Sequence, residues 1–537
     1  MVRGGIATRV PPAGASRVAV RWSGHGEAKA NVAELFLGSA RRAGERPAVA
    51  LGADRLWCYA DLVSRAAAIA GSLVQTHGLV RGERVALAMR NLPEYVELLL
   101  ACWWAGLVAV PLNAKLHRDE MAWVVEHSGA RILFVSDDLA ATLGDLPEQI
   151  GGLALVFVAG SREQRRLLNG ERLALADVGE DELAWLFYTS GTTGRPKGAM
   201  ISHRNLRAMT AAYFASVEAI GPGGAMLHMA PLSHGSGLYL LPHAAAGSLQ
   251  VIPESGGFDE AEFFALLGVH SEVSTFAAPT MVKRLVRHAE SHRPDTANLN
   301  TIVYGGAPMY LADLDAAHAA FGFKLAQIYG QGESPMTITA LSKQAHADRD
   351  HPRWRERLAS AGTAQQGVEV EIRDAEDRPL PTGEVGEVAC RSAAVVAGYW
   401  RDPEATRRTM GDGWLRTGDM GSLDEDGYLT LRDRSKDLII SGGSNIYPRE
   451  VEEALLTHAG VLEAAVVGVP DPEWGERVVA CVVAAPGTSG KALDDHCLAR
   501  IARFKRPREY VFMERLPKSN YGKVLKRVLK EALAGKT

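Results

Sequence analysis

Two periods of hydrophobic spacing alternate along this chain. The three-to-four spacing of an amphipathic helix covers residues 59–75 and 93–104, while short apolar runs cover 84–89 and 131–135. Short apolar runs bounded by turn residues read as strands, and strands alternating with helices predict an α/β domain with a mainly parallel sheet. The apolar stretch 98–112, about fifteen residues long, is interrupted by Gly106 and Pro111 and is too short and too broken to span a membrane. It reads as a core helix running into a strand.

The same alternation continues with strands at 183–187, 225–229, 273–277, 301–304 and 325–329, and helices at 203–217 and after Pro279. Residues 362–400 read as short strands broken by Gly and Pro, a small β subdomain. Beyond them come strands at 464–469, 478–484 and 510–513, with helices at 449–456, 493–502 and 523–532. The expected fold class is therefore α/β. A large N-terminal domain holds parallel sheets and the small β subdomain, and a small C-terminal α+β lid follows. A charge cluster, Asp433-Arg-Ser-Lys-Asp437, separates the two. The boundaries read from this are a disordered tail over 1–28, a first domain over 29–433, a connection at 434–437 and a lid over 438–537.

Composition narrows the function classes. At 537 residues the chain exceeds one ordinary core. Lys and Arg number 59 against 63 Asp and Glu, for a net charge of −4, which gives no support to a nucleic-acid binder. The five cysteines are scattered without a C-x-x-C, so neither a disulfide framework nor a zinc site is expected, and a reducing, cytoplasmic compartment fits. Residues 1–28 carry arginines and no acid before Glu27, as a transit peptide does, but Pro11, Pro12 and repeated glycines oppose the amphipathic helix such a peptide needs.

The chemistry concentrates in Tyr188-Thr-Ser-Gly-Thr-Thr-Gly-Arg-Pro-Lys-Gly198, directly after a buried strand. Three glycines let the backbone N–H groups approach an anion, the hydroxyls add donors and Lys197 adds positive charge, so a polyphosphate is the expected guest. The familiar pattern G-x-x-x-x-G-K-[ST] fails here, because Pro196 stands where its second glycine belongs. A nucleophile elbow, G-x-S-x-G, fails at His234-Gly-Ser-Gly for the same kind of reason. Further along, Gly305-Gly-Ala-Pro308 ends a strand, where glycines admit a flat ligand. Tyr329-Gly-Gln-Gly-Glu333 follows another, pairing a ring able to stack on a purine with a carboxylate able to hold Mg²⁺. In Arg416-Thr-Gly-Asp-Met-Gly421 a carboxylate is suited to a ribose diol.

The glycine loop resembles, without a mismatch, the signature of the adenylate-forming superfamily, and motifs from Tyr188 to Lys523 follow in that family's order. The resemblance implies an acid–coenzyme A ligase in two steps: a carboxylate attacks ATP, releasing pyrophosphate, and a thiol then displaces AMP. ATP, Mg²⁺ and coenzyme A are the implied cofactors and co-substrates. It assigns Thr189, Ser190, Gly191, Thr192, Thr193, Gly194 and Lys197 to the phosphates, and Gly305, Gly306, Ala307 and Pro308 to the adenine. Tyr329, Gly330, Gln331 and Gly332 line the nucleotide, Asp419 and Arg434 hold the ribose, and Glu333 binds the metal. Lys436 becomes the hinge, Gly442 and Gly443 a loop for the pantetheine channel, His234 an acyl-site residue and Lys523 the catalytic lysine, Lys526 and Lys530 being left as solvated surface. Gly332 departs from the family's Tyr-Gly-x-Thr-Glu, so one phosphate-facing hydroxyl is missing, with Ser334 or a backbone N–H as the candidate substitute.

The segments expected around the acyl group, 233–241, 275–281, 304–308 and 331–336, contain no charged residue except Glu333. A second substrate carboxylate would need a buried cation, so a monocarboxylic acid with an uncharged tail, fatty or aromatic, is expected. Three other readings remain open: a ligase that loads a carrier-protein thiol, a luciferase-like oxygenase, and a nucleotide-binding regulator with a dead site. Small molecules are the expected partners, and a homodimer is the candidate assembly.

Overall fold

The computed structural model describes residues 30–189, 195–221, 223–434, 437–441, 444–472, 474–518 and 524–534. Four sheets organise them. The first has six strands in the order Leu155–Val158, Ala130–Val135, Arg84–Met89, Val108–Asn113, Leu183–Thr189 and Lys197–Ser202. All its pairings are parallel except the last, where Leu183–Thr189 turns back on Lys197–Ser202. The second has nine strands, with parallel pairing from Leu325–Gln331 through Leu299–Tyr304, Val273–Ala277, Ala225–Leu227 and Leu249–Ile252 to Pro47–Leu51. Ser334–Leu341 continues it antiparallel beyond Leu325–Gln331.

The expected α/β class is what the structure has, and several elements fall where their periodicity put them. Helix Pro93–Trp104 begins with proline at its first turn, where no N–H is missed, and buries almost every residue. It continues through Gly106, at φ +70°, into the strand Val108–Asn113. Helix His203–Ser216 starts at a reciprocal cap between Ser202 and Asn205. The largest apolar cluster packs Leu62, Ile69 and Trp103 from helices against Leu87 of the six-stranded sheet and Val49 of the nine-stranded one. It thus sits between the two sheets.

Two elements differ from expectation. Residues Gly235–Ala246 form a buried helix, where the glycine-rich sequence had suggested only a pocket wall after a strand. Packing requires glycine at 235 and 237, because a Cβ at Gly235 would lie 2.7 Å from Phe276 and one at Gly237 1.8 Å from the Leu232 carbonyl oxygen. The small β subdomain also runs on past 400: Val368–Arg373, Gly386–Ser392, Trp414–Leu423, Met410–Gly411 and Leu429–Arg434 form one antiparallel sheet. The fourth sheet joins Ser444–Ile446, Ile439–Ser441, Gly475–Ala484, Val461–Asp471 and Glu509–Phe512, covered by helices Pro448–Leu456, Gly490–Leu498 and Lys526–Ala534. Its apolar clusters contain only residues from Ile439 onward.

Candidate active site

Thr189 ends one strand of the hairpin and Lys197 opens the other, and the two are paired residues. The glycine-loop residues Ser190, Gly191, Thr192, Thr193 and Gly194 lie outside the described residues, as do Lys436, Gly442, Gly443 and Lys523. Gly198, on the second strand, lies so close to the Tyr188 ring that a Cβ would stand 3.1 Å from it. The Nζ of Lys197 lies 5.2 Å from the centre of the Tyr399 ring. Tyr399 in turn donates from its hydroxyl to Oε1 of Glu333 at 2.7 Å. Glu333 is buried, and its carbonyl accepts from Val396 N–H at 2.9 Å. Burial, then the neighbouring Glu333 charge, raise the Tyr399 pKa, so the phenol stays a donor at neutral pH.

Opposite this group stands Asp419, in the middle of Trp414–Leu423. Its Oδ2 accepts 2.7 Å hydrogen bonds from both the Tyr329 hydroxyl and the Gln331 amide. The same amide also donates to the Thr417 carbonyl at 2.9 Å. Tyr329 is held well above an ordinary phenol pKa by burial and by Asp419. Asp419 and Arg434 are cross-strand partners, so the backbone brings the two expected ribose-side positions together.

Gly330 and Gly332 make the turn between these groups possible. A Cβ at Gly330 would lie 2.7 Å from the Met336 backbone, and the strand pairing slips there, with Gln331 opposite both Ser334 and Pro335. Met336 takes up the slip in a left-handed conformation, φ +58°. A Cβ at Gly332 would stand 2.5 Å from Thr189 Cγ2 and 2.9 Å from the Phe187 ring. The space a family threonine would fill is therefore taken by Thr189 and Phe187. Ser334 does not replace it: its hydroxyl is fully buried and donates to the Thr337 carbonyl at 2.6 Å.

Gly305 ends Leu299–Tyr304 so close to the next strand that a Cβ would lie 2.6 Å from the Ile328 carbonyl oxygen. Gly306 follows at φ +84°, and Gly306 and Pro308 are exposed while Ala307 is half-buried. On the far side, His234 packs edge-on against Phe187 at 5.0 Å, and its Nδ1 is 2.9 Å from Ser233 Oγ. Burial pushes its pKa down to about 3, so it is a neutral imidazole near pH 7. Around Gly235 close Phe276 and Met336, and Tyr239 packs on Phe276 at 5.6 Å.

Among the described residues no group of three or more His, Cys, Asp or Glu could cage a metal. A single buried carboxylate, Glu333, fits Mg²⁺ held mainly by phosphate oxygens and water rather than by a protein cage. Sequence reasoning missed Tyr399, since Gly398-Tyr-Trp carries no chemical signature, and placed no partner on Glu333. It also misread Lys526: rather than solvated surface, its Nζ is 3.0 Å from Glu452 Oε1.

All five cysteines are free thiols, and no helix among the described residues is long and apolar enough to cross a membrane. The family described as AMP-binding enzyme matches residues 36–400, and its C-terminal domain matches 450–523. The chain is 36% identical over 472 residues to a feruloyl-CoA synthase of Amycolatopsis sp, covering 87% of this chain and 92% of that protein. It is 35% identical to the fatty acid–acyl-carrier-protein ligase ScoC of Streptomyces coeruleorubidus, over 91% of this chain and 94% of that one. Its fold superposes on ATP-bound MatB of Rhodopseudomonas palustris with a TM-score of 0.85 at 30% identity, covering 94% and 99% of the two chains. Against the apo form of the same enzyme the TM-score is 0.76, at 29% identity and over 95% and 99%.

Proposed function

The chain belongs to the AMP-binding enzyme family and is an AMP-forming acid–coenzyme A ligase that uses ATP; from that premise we propose which acid it takes and which residues do the work. The acid is a monocarboxylate with an uncharged aromatic or fatty tail. The observation that carries this is the lining beside His234: Phe187, Phe276, Met336 and Tyr239, with no cation among them. Beneath Tyr239 lies a buried carboxylate, Glu218, which accepts from Tyr213, Ser274, Asn300 and Thr301 at 2.5–2.7 Å.

In the first step two anions must meet, so fixed donors and cations govern the barrier. Lys197, Thr189 and the loop 190–194 take the leaving pyrophosphate, and Asp419 with Arg434 takes the ribose. Gly305–Pro308 and Tyr329 border the adenine, with open space only at Gly306, since glycine at 305 makes room for Ile328. Glu333, oriented by Tyr399, would hold Mg²⁺, which supplies charge neutralisation on the phosphates. Neutral His234 closes the acyl side without adding a charge. Lys523 serves the first step, and the unit 438–537 turns about 434–437 so that Gly442 and Gly443 serve the thiol in the second. We place the enzyme in the cytoplasm, and a homodimer is its proposed assembly.

The test is AMP release from ATP across acids graded in chain length and aromaticity, with Mg²⁺ and coenzyme A. A best substrate such as malonate or succinate would refute the uncharged tail. Similarity to ScoC favours a second acceptor, a carrier-protein thiol. Thioester formed on carrier protein but not on free coenzyme A would establish that reading instead.

A further inference from the structure

Glu452 is buried where the C-terminal unit meets the larger one, in helix Pro448–Leu456. Its Oε1 accepts from the Val466 N–H at 2.8 Å and stands 3.0 Å from Lys526 Nζ. Its Oε2 accepts from the Tyr310 hydroxyl at 3.1 Å, across 142 residues of sequence. Two of these bonds lie within the C-terminal unit, and one crosses to the larger unit. Tyr310 is the cap residue of helix Leu311–Phe321 and closely follows Gly305–Pro308. Lys526 opens the last helix, shortly after Lys523. The stem of that segment is fixed by a bridge between Lys518 and Val524 and by Leu525 N–H donating to the Pro517 carbonyl at 2.9 Å.

A carboxylate with one oxygen on each side of an interface is a latch: turning the C-terminal unit must break the Tyr310 bond while sparing the other two. A bond made in one orientation and lost in the other bears on the balance between them. We propose that Glu452 is a positioning residue of the first half-reaction, latching through Tyr310 the orientation of the C-terminal unit seen here, with Lys526 tying the last helix to the same carboxylate. The inference rests on the two-step ligase reading above.

The experiment uses the full chain with Tyr310→Phe, which deletes one hydroxyl and leaves the two bonds inside the lid intact. The first half-reaction is followed as acid-dependent ATP–pyrophosphate exchange. The second is followed as coenzyme A-dependent consumption of supplied acyl-adenylate. The expected result is an exchange rate lower by about tenfold, with the second step unchanged or faster. Tryptic cleavage within 434–437 should also quicken severalfold, a readout independent of turnover. Glu452→Gln, which still accepts from Tyr310, should give a smaller shift in the same direction. Equal losses in both half-reactions, or no change in either with unchanged cleavage, would overturn the latch. A wild-type chain that never forms AMP would strike the ligase reading and leave the cleavage result to judge the latch alone.

Discussion

The hydroxyl of Tyr399 points at Glu333, 66 residues away in sequence, from an isolated bridge to Ala199, and the same ring lies under Lys197. One side chain thus touches the proposed metal carboxylate and the proposed phosphate lysine together. Tyr399→Phe should lower adenylation about tenfold and raise the Mg²⁺ concentration for half-maximal rate, because the carboxylate loses its fixed orientation. Initial rates over a magnesium titration check it. An unchanged magnesium dependence would remove Tyr399 from the metal site.

Asp419→Asn takes away the charge on which Tyr329 and Gln331 converge. The KM for ATP should rise at least tenfold while the KM for the acid moves little. Tyr329→Phe should reproduce part of that loss. If the acid KM rose as much as that for ATP, the ribose assignment would be wrong.

Gly332 can be tested by restoring the family residue. Gly332→Thr should crowd Thr189 and Phe187, with an overpacking penalty of about 1–3 kcal/mol read as a lower Tm, and should slow adenylation. Adding Thr189→Ser deletes one of the two obstructing groups and keeps the hydroxyl, so the double variant should recover part of both losses, the Phe187 ring still standing 2.9 Å from the new Cβ. Full activity of Gly332→Thr with Thr189 intact would contradict the packing argument.

Lys523→Ala should cut acyl-adenylate formation by about a hundredfold or more and spare thioester formation from supplied adenylate. Lys436→Pro should do the converse, blocking chiefly the second step. Equal damage to both steps by either variant would sink the corresponding role.

Burial lowers the pKa of His203, His228 and His243 to about 4 and of His234 and His346 to about 3. In the unfolded chain they titrate near 6.5, so below that pH the unfolded state binds more protons and the fold loses stability. Each contributes about 1.4 kcal/mol per pH unit between its two pKa values, and none above pH 7. Melting curves from pH 8 to pH 5 should show a flat region and then a steep fall beginning near 6.5. Replacing one of them, as in His346→Gln, should make the fall shallower. A Tm constant down to pH 5 would refute the account.

Much of this was legible because burial imposes a period. Arg84–Met89, Pro93–Trp104 and Val273–Ala277 fall on their predicted boundaries, since each is buried nearly throughout and flanked by turn residues. Helix Gly235–Ala246 was not legible, because glycine at its start and Pro242 inside it are poor helix formers, overridden by packing against Phe276 and Trp185. Single motifs exposed Glu333, Asp419 and Lys197. The contacts that orient them join residues far apart in sequence, as in Tyr399 with Glu333 and Tyr310 with Glu452, and no local pattern encodes such a pair. Lys526 read as surface because a lysine in an amphipathic helix usually is, and only the fold brings a buried acid to it.

Strand Leu429–Arg434 runs antiparallel to the strand of Asp419 and is paired with it up to Arg434 itself. The chain leading to the C-terminal unit is thus paired into the same sheet as the proposed ribose carboxylate. On the proposed assignment the cap turns about a strand anchored beside the nucleotide, so a foreign cap grafted just after Arg434 should inherit the pivot, whereas a graft made before Leu429 should remove the strand that pairs with Asp419.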